Sequence, residues 1–437
     1  MPILISSNIK SVFAQQGIDS SLYENYHVLI KDNTETQKGL LTIHKVDGKY
    51  YFEIPEVILG KEILIATKIS DVPKATEAFA VGAGSQPHDQ QIIRFQKQDY
   101  SIVMKVVSYK SIADKNLPIH QAAKNSNSES VVYKFKIEAI NKKTGGYVIG
   151  INDFFTSDIP MIGAFKDYEY LKLGISNVDQ SRSFINWIKA FPENIEIRHT
   201  LTYRGSKLSE DNLNKIVSVT LNQSMVVLPN NPMTPRFYDE RVGYFSIEHI
   251  DYGLDEQKAS TVKYIQRWRL EPSDWKAFSK GDLVEPVKPI LFYIDPATPL
   301  KWRPYIRRGV EAWQKSFEQI GFKNAIGIKD APTINEDPDW SPEDIRYSVI
   351  RWMATTNRSA NGPNIHDPRT GEIIEADILF GHNMMRLLRN WYFTRTAAAN
   401  PKARPIKLKD EVMGKLIQIV ISHEVGHTLG LLHNSIT

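Results

Sequence analysis

The stretch that most constrains this chain lies near its C-terminal end, where residues 422–433 read S-H-E-V-G-H-T-L-G-L-L-H. Histidines four residues apart on an α-helix share one face, with Cβ atoms about 5–6 Å apart. If the segment up to Leu429 is helical, His423 and His427 therefore converge on one point. Two neutral imidazoles so placed suit a zinc ion. Glu424, beside the first histidine, can reach a metal-bound water without itself binding the metal. Gly430 can take a positive φ and end the helix, so the chain can turn back and deliver His433 as a third ligand. Three protein ligands leave the fourth position to water, the arrangement of a catalytic rather than a structural zinc site.

The helix that carries the histidines also reads as core. Val412, Met413, Leu416, Ile417, Ile419, Val420 and Ile421 are apolar nearly all round, which predicts a buried element. Met413, Leu416 and Val420 continue the stripe on which His423 and His427 lie. A rigid buried helix is what precise metal geometry requires.

Composition narrows the remaining chemistry. With 54 basic and 50 acidic residues the formal net charge is +4, too small to argue for nucleic acid or an anionic membrane as a partner. The absence of cysteine removes disulfides, thiolate metal sites and cysteine nucleophiles together. No apolar run reaches the eighteen or so residues of a membrane span. Val12-Phe13-Ala14 resembles the small-residue end of a signal peptide, but Ser6, Ser7, Asn8 and Lys10 break the apolar centre such a peptide needs.

Four segments are expected along the chain: an N-terminal segment over 1–29, a small β-rich domain over 30–75, a larger one over 76–280, and a zinc-bearing domain over 285–437. Residues 40–46 and 50–54 flank Asp47-Gly48, a strong hairpin pair, and 61–69 follow as a strand. Residues 71–91 are loop-like and 122–130 a polar connector. Strands resume at 92–96, 102–108, 131–140, 147–152, 195–203 and 216–228, an antiparallel pattern. Gly281, Pro286 and Pro289 mark a boundary. Beyond it come a strand at 290–294, one amphipathic helix over 299–320, and strands at 325–329, 345–352 and 373–380. Helices over 384–399 and 410–429 complete an α+β layout. The segment M-T-P-R-F-Y-D-E-R-V-G-Y-F, residues 233–245, reads as packed or rim structure rather than as a ligand site.

At its histidines the chain resembles the metzincin zinc endopeptidases, whose signature is H-E-x-x-H-x-x-G-x-x-H. More narrowly, residues 233–245, Y-I-Q-R-W-R-L-E-P at 264–272, and G-P-N-I-H-D-P-R-T-G-E-I-I-E-A-D-I at 362–378 are similar to stretches of large bacterial metalloproteases with β-rich regions ahead of the catalytic domain. The resemblance implies an N-terminal antiparallel β-rich region followed by a metzincin-like subdomain, a twisted mixed sheet with two main helices. It implies His423, His427 and His433 as ligands of Zn2+ and Glu424 as general base. It also implies an edge strand over 361–367 that pairs with an extended peptide substrate, a place where Pro363 is tolerated, and an extracytoplasmic location. Metzincins continue past the third histidine into a methionine-containing turn and a C-terminal subdomain, whereas here Thr437 follows His433 by four residues and no methionine follows Met413.

The expected function is zinc-dependent hydrolysis of peptide bonds in a peptide or protein substrate. The alternative is a non-catalytic binding or surface protein with a structural or degenerate zinc site, this chain being an inactive fragment. His366 and His382, with Asp367 and Asp377, are a second candidate metal set, against which stands a reading as solvated loop residues.

Overall fold

A computed structural model describes residues 21–433 except 73–83, 87, 89, 209–213 and 357. The signal-like residues 12–14 lie outside the described residues. Among the described residues no helix is long and apolar enough to cross a membrane.

Upstream, twelve strands make one antiparallel sheet. From the edge strand Glu35–Lys38 it runs into the hairpin of Thr42–Val46 and Lys49–Ile54, where Asp47 and Gly48 take φ of 47° and 78°. Both positive values are what a two-residue hairpin turn of this kind demands. The sheet passes through Ser130–Ile140, Ser101–Val107 and Gln91–Gln98 to Glu62–Asp71, Ile216–Val227 and Asn194–Gly205. It curls until its ends approach each other, the Leu40 amide donating to the Phe191 carbonyl at 2.6 Å. Phe52, Ile63, Phe95, Phe154, Phe155 and Ile195 fill the enclosed core.

Glu62–Asp71 and Gln91–Gln98 pair directly, and most of the segment 71–91 expected as loop lies outside the described residues. Strands from the expected 30–75 unit and from the expected 76–280 unit thus share one hydrogen-bonded sheet. Part of the polar connector is helical, Ile119–Ser126.

The C-terminal region is built on a second sheet. Ile326–Asp330, Ile290–Ile294, Ser348–Met353 and Ile378–Gly381 lie parallel, and Ala360–Asn361 adds an antiparallel edge. Parallel strands need crossover connections, and the one from Ile290–Ile294 to Ile326–Asp330 carries two of the helices that cover the core. The helix expected over 299–320 is divided into Arg303–Glu311 and Gln314–Gln319. Between them the Trp313 amide bonds to Val310 in a tighter three-residue turn at 3.2 Å. The strand expected over 373–380 is split at Asp377, whose carboxylate accepts from the Val349 amide at 2.8 Å. The mixed α+β architecture with a large antiparallel sheet agrees with the expectation.

The two sheets are joined by apolar contact and by buried charge. Leu64, Ala66, Ile92 and Leu228 from the upstream sheet pack with Ile345 and Ile365. Lys68, 1% exposed, lies 2.9 Å from both Glu375 and Asp377. Burial alone would lower the Lys68 pKa, but the two carboxylates outweigh it and hold the ammonium charged. Burial and the neighbouring Asp377 push Glu375 well above the usual carboxylate range. Arg351 bonds to Asp295 at 3.1 Å and pairs with Glu343 at 2.9 Å, and Arg198 of the upstream sheet reaches Glu343 from the other side.

Candidate metal centre

The helix Asp410–Thr428 carries the histidines. Asp410 and Glu411 lie in its first turn, where negative charge complements the helix dipole. Its packing face, Met413, Ile417, Ile421 and Val425, lies in the C-terminal core with Ile306 and Val310 of the Arg303–Glu311 helix. Trp313 fixes its position from behind, the indole Nε1–H donating to the Ser422 carbonyl at 2.8 Å. The helix is not buried all round, as its apolar residues predicted. Ile419 is 65% exposed, because the side of the helix bearing Ile419, Val420, His423 and Glu424 faces a cavity.

The helix ends in two bonds of the Schellman type. The Gly430 amide donates to the His427 carbonyl at 2.9 Å and the Leu431 amide to the Gly426 carbonyl at 3.0 Å. Gly430 takes φ of 98°, as the sequence predicts. Space makes a second demand on this residue, since a Cβ there would stand 2.1 Å from the Gln266 carbonyl oxygen. The reversal returns His433 over the helix. The Nε2 atoms of His423 and His433 are then 2.9 Å apart, and each lies 3.1 Å from His427 Nε2. Among the described residues these three histidines are the cluster able to hold a metal ion.

The donor set fits zinc. Nitrogens about 2.0–2.1 Å from a tetrahedral zinc lie about 3.3 Å from one another, within a few tenths of an ångström of the spacing found. His427 Nδ1 donates to the Leu431 carbonyl at 2.7 Å, which leaves its Nε2 as a lone-pair donor directed at the cluster. Burial lowers the His423 pKa, as do the two neighbouring imidazoles, and both effects favour the neutral ring a metal requires. Glu424 is 6% exposed and lines the same cavity as the three histidines. Burial pushes its carboxyl up to about 7, partly offset by His433.

The cavity, of about 760 Å³, has two further walls. One is the Met384–Thr396 helix, which contributes Met384, Leu387 and Trp391. The other is the edge of the second sheet, residues 359–363. The single edge strand expected over 361–367 is instead two short strands, Ala360–Asn361 and Asn364–His366, bonded to different partners. Pro363 has no amide hydrogen to continue a ladder, and Gly362 brings the backbone against the histidine helix. A Cβ on Gly362 would lie 3.0 Å from the Glu424 carbonyl and from Thr428 Cγ2.

The second candidate metal set does not assemble. Asp367 and Asp377 are each 1% exposed, so they are not solvated loop residues either. Asp367 pairs with Arg369 at 2.7 Å and Asp377 with Lys68. His366 bonds to Asn364 and Gln90, and His382 accepts from the Trp352 indole at 3.2 Å.

Sequence reasoning missed Phe245 and Trp268. Phe245 lines the cavity with its ring centre 5.9 Å from that of His427, and the Trp268 Nε1–H donates to the Thr428 carbonyl at 2.9 Å. No spacing rule connects residues so far apart. The density of Arg, Tyr and Phe over 233–245 was the available signal, and it points to packing without saying against what.

Three family models match the chain. Residues 406–437 match one described as Met-zincin, residues 84–273 match a domain of unknown function (DUF5117), and residues 23–72 match another (DUF5118). No curated protein and no solved structure matches. The Met-zincin match and the three histidines together fit a metzincin-like region at the C-terminal end.

Proposed function

We propose that residues 285–437 form the N-terminal catalytic subdomain of a metzincin-type zinc endopeptidase, with His423, His427 and His433 holding the metal and Glu424 acting as general base. The observation that carries this reading is the convergence within 3.1 Å of three Nε2 atoms, two from the Asp410–Thr428 helix and one from the turn after it, beside a carboxylate, Glu424, that lines the same cavity. A parallel sheet with one antiparallel edge strand beside that helix supports it.

Bound zinc supplies Lewis acidity, acidifying a coordinated water and polarising a carbonyl. The chain's own groups account for the rest. Leu431 holds His427 in the tautomer that offers Nε2. Glu424 takes a proton from the attacking water and passes it to the leaving amine nitrogen. Residues 359–363 present a sheet edge along which an extended peptide can lie, while Met384, Leu387, Trp391 and Ile419 receive an apolar side chain. A peptide or protein substrate and an extracytoplasmic location belong to the same reading.

Metal analysis and peptide hydrolysis test it together. Glu424→Ala should retain zinc and lose turnover by about 10²–10⁴-fold, whereas His423→Ala should lose zinc. Cleavage by Glu424→Ala at the parent rate would remove the assigned role.

A further inference from the structure

The third histidine stands outside the helix that fixes the first two, and the segment supporting it comes from far upstream. The Phe245 amide donates to the Gly430 carbonyl at 2.7 Å, and the Leu432 amide donates to the Gly243 carbonyl at 3.0 Å. Tyr244 and Leu431 pair between them, giving a short antiparallel ladder. Its outer neighbour is another upstream segment, for the Gln266 amide donates to the Phe245 carbonyl at 2.8 Å. That segment is anchored in turn to the C-terminal region, the Arg267 amide bonding to the Gly371 carbonyl and the Ile373 amide to the Arg267 carbonyl, both at 2.9 Å. The result is one strip of backbone across residues 371–373, 265–267, 243–245 and 430–432.

The helix terminus itself leans on this strip. The last four carbonyls of a helix lack intrahelical partners, and the Thr428 carbonyl finds one in the Trp268 indole N–H. The local Schellman bonds reach Gly430 and Leu431 but go no further. Leu432, the residue before the third ligand, is bonded through its amide to Gly243. The Phe245 ring packs beside His427.

We infer that Gly243, Phe245 and Trp268 are positioning residues of the metal centre, fixing the 428–432 turn so that His433 meets His423 and His427. The inference rests on the three-histidine reading proposed above. It makes the end of the region matching the domain of unknown function (DUF5117) part of the frame of the metal site. The unit that binds metal then begins upstream of residue 243 and not at 285.

Zinc titration of the full chain tests this, with Co2+ absorption reporting coordination geometry. Phe245→Pro deletes one ladder donor, and Trp268→Phe deletes the indole donor while keeping an aromatic ring. Each should weaken zinc binding by about 10–100-fold and alter the Co2+ spectrum, while the metal-free protein keeps its circular dichroism. Should Phe245→Pro fail to fold, Trp268→Phe decides. His433→Ala separates the two ideas. If it weakens zinc binding and Trp268→Phe leaves both affinity and Co2+ spectrum at parent values, positioning is overturned and the metal site stands. If His433→Ala binds zinc as the parent does, the three-histidine reading falls and the positioning inference with it.

Discussion

Gly430→Ala tests whether the reversal after the histidine helix is as demanding as its geometry indicates. Gly430 lies at φ of 98°, and an L-residue in left-handed backbone costs about 1–2 kcal/mol. The added Cβ would stand 2.1 Å from the Gln266 carbonyl oxygen, a backbone atom that no rotamer change can remove. Relief requires residues 430–432 to move off the upstream strip. That movement breaks the Phe245–Gly430 and Leu432–Gly243 bonds, worth about 1 kcal/mol each. The total is about 3–4 kcal/mol. Because the displaced segment leads directly to His433, expression of the whole penalty in metal binding would lower zinc affinity by about two to three orders of magnitude. Competition with a chromophoric chelator measures the affinity, and thermal unfolding of the metal-free protein measures any part expressed in the fold. Affinity within about threefold of the parent, a difference under about 0.7 kcal/mol, with an unchanged unfolding midpoint, would refute the reasoning.

Two further outcomes follow from the buried charges. Lys68→Met leaves Asp377 without its cation at a site 1% exposed, and breaking such a pair should cost about 3–5 kcal/mol in denaturant unfolding; a loss below about 1 kcal/mol would mean that the site relaxes or admits water. Burial raises the Glu53 pKa, but hydrogen bonds from His44, Thr144, Asn141 and Tyr26 overcome it and bring the carboxyl down to about 2. Its folded value lies below its unfolded one, so the stabilisation is present above about pH 4.3 and is lost as pH falls towards 2. Unfolding midpoints of Glu53→Gln should therefore vary less than the parent's across that window, and parallel profiles would contradict the assignment.

The parts of this protein legible from sequence are those in which cause and effect lie within a few residues. A spacing of four puts His423 and His427 on one helical face, and Gly430 marks the reversal that follows. Asp47-Gly48 marks a hairpin for the same reason, since backbone sterics there involve only adjacent units. Apolar periodicity is legible too, but it does not say which apolar side meets protein. Ile419 looked like core and borders the cavity, whereas Asp367 and Asp377 looked exposed and are buried. Tertiary structure alone decided that strands on both sides of residues 73–83 share one sheet, and that Lys68 answers Glu375 and Asp377 across the join. It also decided that a Gln266 carbonyl requires glycine at 430 and that Gly243 and Trp268 brace the approach to His433. These are contacts between residues from tens to hundreds of positions apart, and local spacing carries no record of which distant surfaces will meet.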